Sequence, residues 1–169
     1  IVNTSLGYAE FDMVSLSRKH KDLDGKTAFI SRGANMAARK GLLIVCSAGN
    51  SGDSTWERIT SPADAEYILT VGAIQRDSAI ASFSSRGPAY DLRVKPDIMA
   101  LGSRAACLWQ AYPSLSNKEI IRALCQSANK WEDPDKDYGY GIPDMEKAMS
   151  IAKAIEERKA AIQKAKQTR

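Results

Sequence analysis

Residues 42–46 read Leu-Leu-Ile-Val-Cys, an unbroken apolar run that ends abruptly at Ser47-Ala48-Gly49-Asn50-Ser51-Gly52. A strand wetted on one face alternates apolar and polar side chains; one without alternation is covered on both faces, as in the middle of a parallel sheet. A helical pattern leads into it. Ile30, Ala34, Ala37 and Ala38 recur at helical spacing across residues 27–40, and Gly41 stands where a left-handed cap ends a helix. Residues 1–6 read as a further short strand ending at Gly7. Strand, helix and strand in that order make a parallel pair under the right-handed crossover rule, so the fold class expected is α/β.

The rest of the chain extends this plan. A second buried strand is expected at 68–74, after a loop around Trp56 and Pro62, and residues 82–88 form a Ser/Gly/Pro-rich connection. The polar stretch 10–25, with its charge cluster at 18–22, reads as a surface loop. Helical character dominates after residue 105. Residues 105–112 are a short apolar piece, and Ser116 with Glu119 three residues later forms a capping box opening a helix to about Ala128. Residues 138–141 make a tight turn, and Pro143 suits the first turn of a last helix running toward Lys166.

The 169 residues, 44% of them hydrophobic, suffice for one domain with its own core. Lys and Arg number 24 against 20 Asp and Glu, and much of the excess lies beyond residue 152. Such a basic end reads as a solvated helix rather than a nucleic-acid or membrane surface, so no nucleic-acid partner is expected. Cys46, Cys107 and Cys125 lie in separate apolar runs without metal-ligand spacing, and are read as core thiols. No metal site is read from the residues. No apolar run reaches the length of about 18 residues that spanning a membrane needs. The chain opens Ile-Val-Asn-Thr-Ser, without a leader, so the natural N-terminus is expected to lie upstream.

Five blocks, in order along the chain, resemble one known family. They are IVNTSLG at 1–7, GLLIVCSAGNSG at 41–52, ILTVGA at 68–73 with FSSRGP at 83–88, KPDIMA at 95–100, and YGYGIPD at 138–144. Together they resemble the subtilisin-like serine proteases, the subtilases of peptidase family S8, specifically the C-terminal half of their catalytic domain. Intervening wording is most similar to secreted subtilases of Bacteroidetes-type bacteria. The resemblance implies a three-layer fold with a mainly parallel sheet, incomplete here, over residues 1–149, and a basic helical extension at 150–169.

It also implies chemistry. Hydrolysis of a peptide develops negative charge on the carbonyl oxygen, which a preorganised amide donor stabilises. By resemblance Asn50 is that donor. Ser5, Leu6 and Gly7 would line the primary specificity pocket and pair with the substrate backbone, and Ser47, Ala48 and Gly49 would form the opposite wall. Taken without the resemblance, Asn50 is a turn residue tolerant of left-handed backbone, and residues 5–7 are a strand terminator. The family's catalytic Asp and His are expected upstream of residue 1. The only His, His20, sits in a charged loop and is read as a surface residue.

The nucleophile should open a buried helix in a Gly-Thr-Ser motif, yet Leu101-Gly102-Ser103 runs directly into Arg104-Ala105-Ala106-Cys107-Leu108-Trp109. Ser103 lacks the flanking Thr and Pro, and Leu101 stands where the family usually has Pro, so residues 102–104 are read as a junction across an absent segment. The expected function is therefore a fragment of a serine endopeptidase, inactive alone, acting on peptide or protein substrates together with missing segments of its parent. Secretion or the cell surface is the expected location, and calcium is implied by the family alone. A degenerate subtilase that keeps the groove as a peptide-binding scaffold is the alternative. A phosphate-binding module is disfavoured, since the turn at 47–52 lacks both glycine-rich phosphate signatures.

Overall fold

The computed structural model describes residues 1–13, 15, 17–75, 77–100, 108 and 110–167. Four strands, β1 (Val2–Thr4), β2 (Ile44–Ser47), β3 (Leu69–Ala73) and β4 (Ile98–Ala100), form one sheet in the order β1-β2-β3-β4. Every neighbouring pair is parallel, with Val2 opposite Ile44, Val45 opposite Leu69 and Val71 opposite Ile98. Among the described residues the sheet is flanked by the α-helices α1 (Phe29–Arg39), α2 (Asn117–Ser127) and α3 (Met145–Gln167).

Side chains alternate across a strand, so β2 feeds two cores. Ile44 and Cys46 join Leu23, Ala38, Ile59 and Ile68 on the face covered by α1. Leu43 and Val45 join Leu69, Ile98, Ile120, Leu124, Ala148 and Ala152 on the face covered by α2 and α3. Burial on both faces explains the run from Leu43 to Cys46, where each fully buried Leu or Ile contributes about 1.5–3 kcal/mol. Leu42, also expected in the strand, is exposed and precedes it. The result is the α/β arrangement of three layers.

Polar anchors hold the layers in register. Lys95, only 2% exposed, donates from Nζ to Asp97 Oδ2 (2.7 Å), Thr70 Oγ1 (3.1 Å) and Ile68 O (3.3 Å), tying β3 to the start of β4. Buried Asp64 accepts from Ser31 Oγ at 2.5 Å and from the Gly25 N–H at 2.8 Å. Asn117 Nδ2 donates to Ala38 O and Leu42 O, supplying partners for carbonyls at and just beyond the end of α1. The capping box of α2 is formed as expected: the Ser116 N–H donates to Glu119 Oε2 (2.7 Å), and the Glu119 N–H to Ser116 Oγ (3.4 Å).

Four expectations are corrected. Residues 98–100 form a strand that the sequence pattern did not announce, because three residues carry no usable period and only pairing with β3 makes them extended. Pro143 lies outside the last helix, which starts at Met145; the Asp144 carboxylate caps it, accepting from the N–H groups of Glu146 (2.9 Å) and Lys147 (3.1 Å). In the first turn of α1 the buried residue is Ser31, drawn in by Asp64, while Ile30 is only half-buried. His20 is half-buried too, edge-on to the Tyr90 ring at 5.7 Å, because the loop at 20–25 packs Leu23 into the core and carries His20 with it.

The junction at 102–104 lies outside the described residues, as do Leu101, Ser103, Cys107, Trp109 and the opening of the piece expected at 105–112. Among the described residues no helix is long and apolar enough to cross a membrane.

Candidate functional site

A cleft of about 340 Å³ opens at the C-terminal ends of β1 and β2, where ligands bind in parallel sheets of this kind. One side is the continuation of β1, Ser5, Leu6, Gly7 and Tyr8. The other is the turn after β2, with Ser47, Gly49, Asn50 and Ser51, and Thr60 reaches in from the loop that follows. The structure thus brings Ser5, Leu6, Gly7, Ser47, Gly49 and Asn50 of the sequence reading into one cavity.

Ala48 is the exception. It is 1% exposed and belongs to the core between α1 and the sheet, because it continues the alternation of β2: its N–H donates to Val71 O (2.9 Å) and its carbonyl accepts from the Thr60 N–H (3.2 Å). It supports the wall from behind without lining it. Tyr8, Ser51 and Thr60 were not anticipated. Tyr8 and Thr60 come from irregular segments with no periodic signal, and only the fold carries them to the β-strand ends.

The turn is clamped by a distant segment. Gly49 takes φ +115°, a conformation that favours glycine, and its N–H donates to Ser47 Oγ (3.2 Å). The Ser85 N–H donates to Gly49 O and Ser85 Oγ accepts from the Ser51 N–H, both at 3.0 Å. The Gly52 N–H donates to Phe83 O at 2.9 Å, and Ser84 Oγ accepts from the Ala73 N–H at 3.0 Å, closing the end of β3. Two sequence blocks that look independent, 41–52 and 83–88, are therefore one hydrogen-bonded unit. Across the cleft, Tyr8 exchanges backbone bonds with Ser61 at 2.8 and 3.2 Å, which fixes the end of the β1 segment.

Asn50 projects from this braced turn. It is exposed, and among the described residues nothing bonds its side-chain amide. Of the described residues that line it, none is Asp, Glu, Lys, Arg or His. Among the described residues the cleft is therefore neutral, offers the Asn50 amide as a free donor and holds no general base. Among the described residues no cluster of three or more His, Cys, Asp or Glu could hold a metal ion. The buried thiols of Cys46 and Cys125 are free; burial pushes Cys46 up to about 12 and Cys125 up likewise, so neither is a nucleophile at neutral pH.

Residues 1–105 match the subtilase family of peptidase S8, more than half of the chain, and the chain belongs to that family. It is 28% identical over 166 residues to serine protease AprX of Bacillus subtilis (strain 168), covering 70% of this chain and 37% of that protein. It is 36% identical over 137 residues to the thermophilic serine proteinase of Bacillus sp. (strain AK1), covering 70% and 33%. The chain thus spans about a third of the length of these two relatives. The solved self-cleaved protease domain of PatA superposes with a TM-score of 0.57 at 20% identity, over 73% of this chain and 54% of that one, a likeness of fold.

Proposed function

We propose that this chain is part of a secreted or cell-surface serine endopeptidase, supplying its oxyanion donor and the walls of its peptide groove. Asn50 donates its side-chain amide to the carbonyl oxygen of the scissile bond as that oxygen becomes negative. Residues 5–7 pair with the substrate backbone as an added strand, and Ser47 and Gly49 face them. The nucleophile and its base come from segments outside the described residues, so the chain by itself is inert. The observation that carries this reading is the position of Asn50: an unpaired amide on a hydrogen-bonded turn, in the same neutral cleft as the end of β1.

The full-length protein is expected to react with a serine-directed fluorophosphonate probe and to cleave peptides. Asn50→Ala should lower kcat by about 10²–10³ with little change in KM, the loss found when such a donor is removed from a subtilisin. A folded full-length protein that takes up no probe would leave a peptide-binding scaffold in place of the enzyme. Labelling with an unaltered kcat in Asn50→Ala would remove the oxyanion role and leave the family assignment standing.

A further inference from the structure

The Asn50 side chain is exposed and bonded to nothing among the described residues, so only the backbone fixes where its Cβ points. Peptide groups are planar, and a residue turns only about φ and ψ between its two flanking planes. Gly49 O belongs to the plane before Asn50, and the Ser51 N–H to the plane after it. One residue holds both. The Ser85 N–H donates to Gly49 O, and Ser85 Oγ accepts from the Ser51 N–H, each at 3.0 Å. With both planes tied to Ser85, φ and ψ of Asn50 are fixed together, and with them the direction of its Cα–Cβ bond.

Ser85 is itself firmly held. It is 1% exposed, and on one side of it the Arg86 N–H donates to Glu57 O while Arg86 O accepts from the Ile59 N–H, both at 2.9 Å. On the other side the Ser84 N–H donates to Ala81 O (2.8 Å), and Ser84 Oγ accepts from the Ala73 N–H (3.0 Å) at the end of β3. The fit at the turn is close. A Cβ added to Gly49 would lie 2.7 Å from Ser85 Oγ, so glycine at this position is what lets the hydroxyl reach Ser51. Ser85 does not line the cleft, so it has no part in holding a substrate there.

We propose that Ser85 is a positioning residue for catalysis, acting on the reaction only through Asn50, whose backbone it holds on both sides. This rests on reading Asn50 as the oxyanion donor. A donor works by being aimed in advance at the oxygen that becomes charged, and a misplacement of about 1 Å can cost on the order of 10² in rate.

The test is steady-state cleavage of a peptide p-nitroanilide by the full-length protein, as wild type, Ser85→Ala, Asn50→Ala and the double variant. Ser85→Ala should lower kcat by about 10- to 100-fold and leave KM within about twofold, because a misaimed donor is missed in the transition state and not in the bound substrate. Added to Asn50→Ala, it should change kcat by less than about twofold, since residues that act as a unit do not lose rate independently. Should Ser85→Ala not fold, Ser85→Cys, whose sulfur is a weaker acceptor, is judged by the same comparisons.

A kcat in Ser85→Ala equal to that of the wild type overturns the proposal and leaves the oxyanion reading standing. A loss that multiplies with that of Asn50→Ala also overturns it, and makes Ser85 a general support of the fold. So does a rise in KM without a fall in kcat, which would tie Ser85 to substrate binding. An unaltered kcat in Asn50→Ala sinks the oxyanion reading, and a folded protein that neither cleaves nor takes up a fluorophosphonate sinks the peptidase reading; each takes this proposal with it.

Discussion

The turn at 47–52 and the last third of α3 are both built from small and polar residues, Ser-Ala-Gly-Asn-Ser-Gly in one and Ala-Ala-Ile-Gln-Lys-Ala-Lys-Gln in the other. Their fates differ. In the turn, residues 83–85 close on Gly49 and Gly52 with backbone and on Ser51 with the Ser85 hydroxyl, so smallness is a steric requirement. In the helix, Ala160, Ala161 and Ala165 face water, while Lys159 just before them bonds Ser114 O and Glu119 Oε2, both at 3.0 Å. A small residue has structural weight only where another segment presses on it, and local composition does not say where that is.

The comparison breaks if Gly52→Ala is harmless. The added Cβ would overlap Ser84 O and lie 2.6 Å from Ser82 O, both backbone atoms that cannot step aside, so a loss of about 2–3 kcal/mol is expected in denaturant unfolding. A change below a few tenths would mean the clamp at 83–85 is loose.

Ser116→Ala probes the transition between the two regions, where α2 still touches α3. Losing the cap should cost about 1 kcal/mol. The same site responds to acid. Burial raises the Glu119 carboxyl, but the Ser116 N–H, the bond and charge of Lys159 and the Ser116 hydroxyl outweigh it and hold the group below its ordinary value. Its contribution is present above the unfolded carboxylate pKa and is lost as pH falls through the lower folded value. Glu119→Gln should therefore flatten the acid limb of the stability curve; an unchanged acid limb would show that the contact is not formed in solution.

The smallest effect belongs to the far end of α3. Ile162 is 49% exposed, so Ile162→Gln should change stability by less than about 0.5 kcal/mol. A larger loss in the full-length protein would show that another segment packs on the helix there, and would bring this region under the same rule as the turn.

Much of the framework was legible because it rests on period and caps. The apolar run announces a strand covered twice, though the strand is 44–47 and Leu42 is exposed, Gly41 with φ +93° closes α1 as expected, and Ser116 with Glu119 opens α2. The candidate site was legible only in part. Asn50 and residues 5–7 stand out as motifs, whereas Thr60 belongs to a loop whose sequence carries no pattern, and the motif around Ala48 does not say that its side chain faces the core.

Sequence alone determined the α/β class, the central strand, the helix caps and the family, since each depends on neighbours within a few residues or on an ordered set of motifs. Tertiary structure decided the rest: that the 83–85 segment braces the turn at 47–52, that β4 exists, that Lys95 and Asp64 are buried with partners, and that Thr60 lines the cleft. All of these depend on groups far apart in the chain brought within hydrogen-bond or van der Waals distance, and no local pattern encodes a distance across the fold.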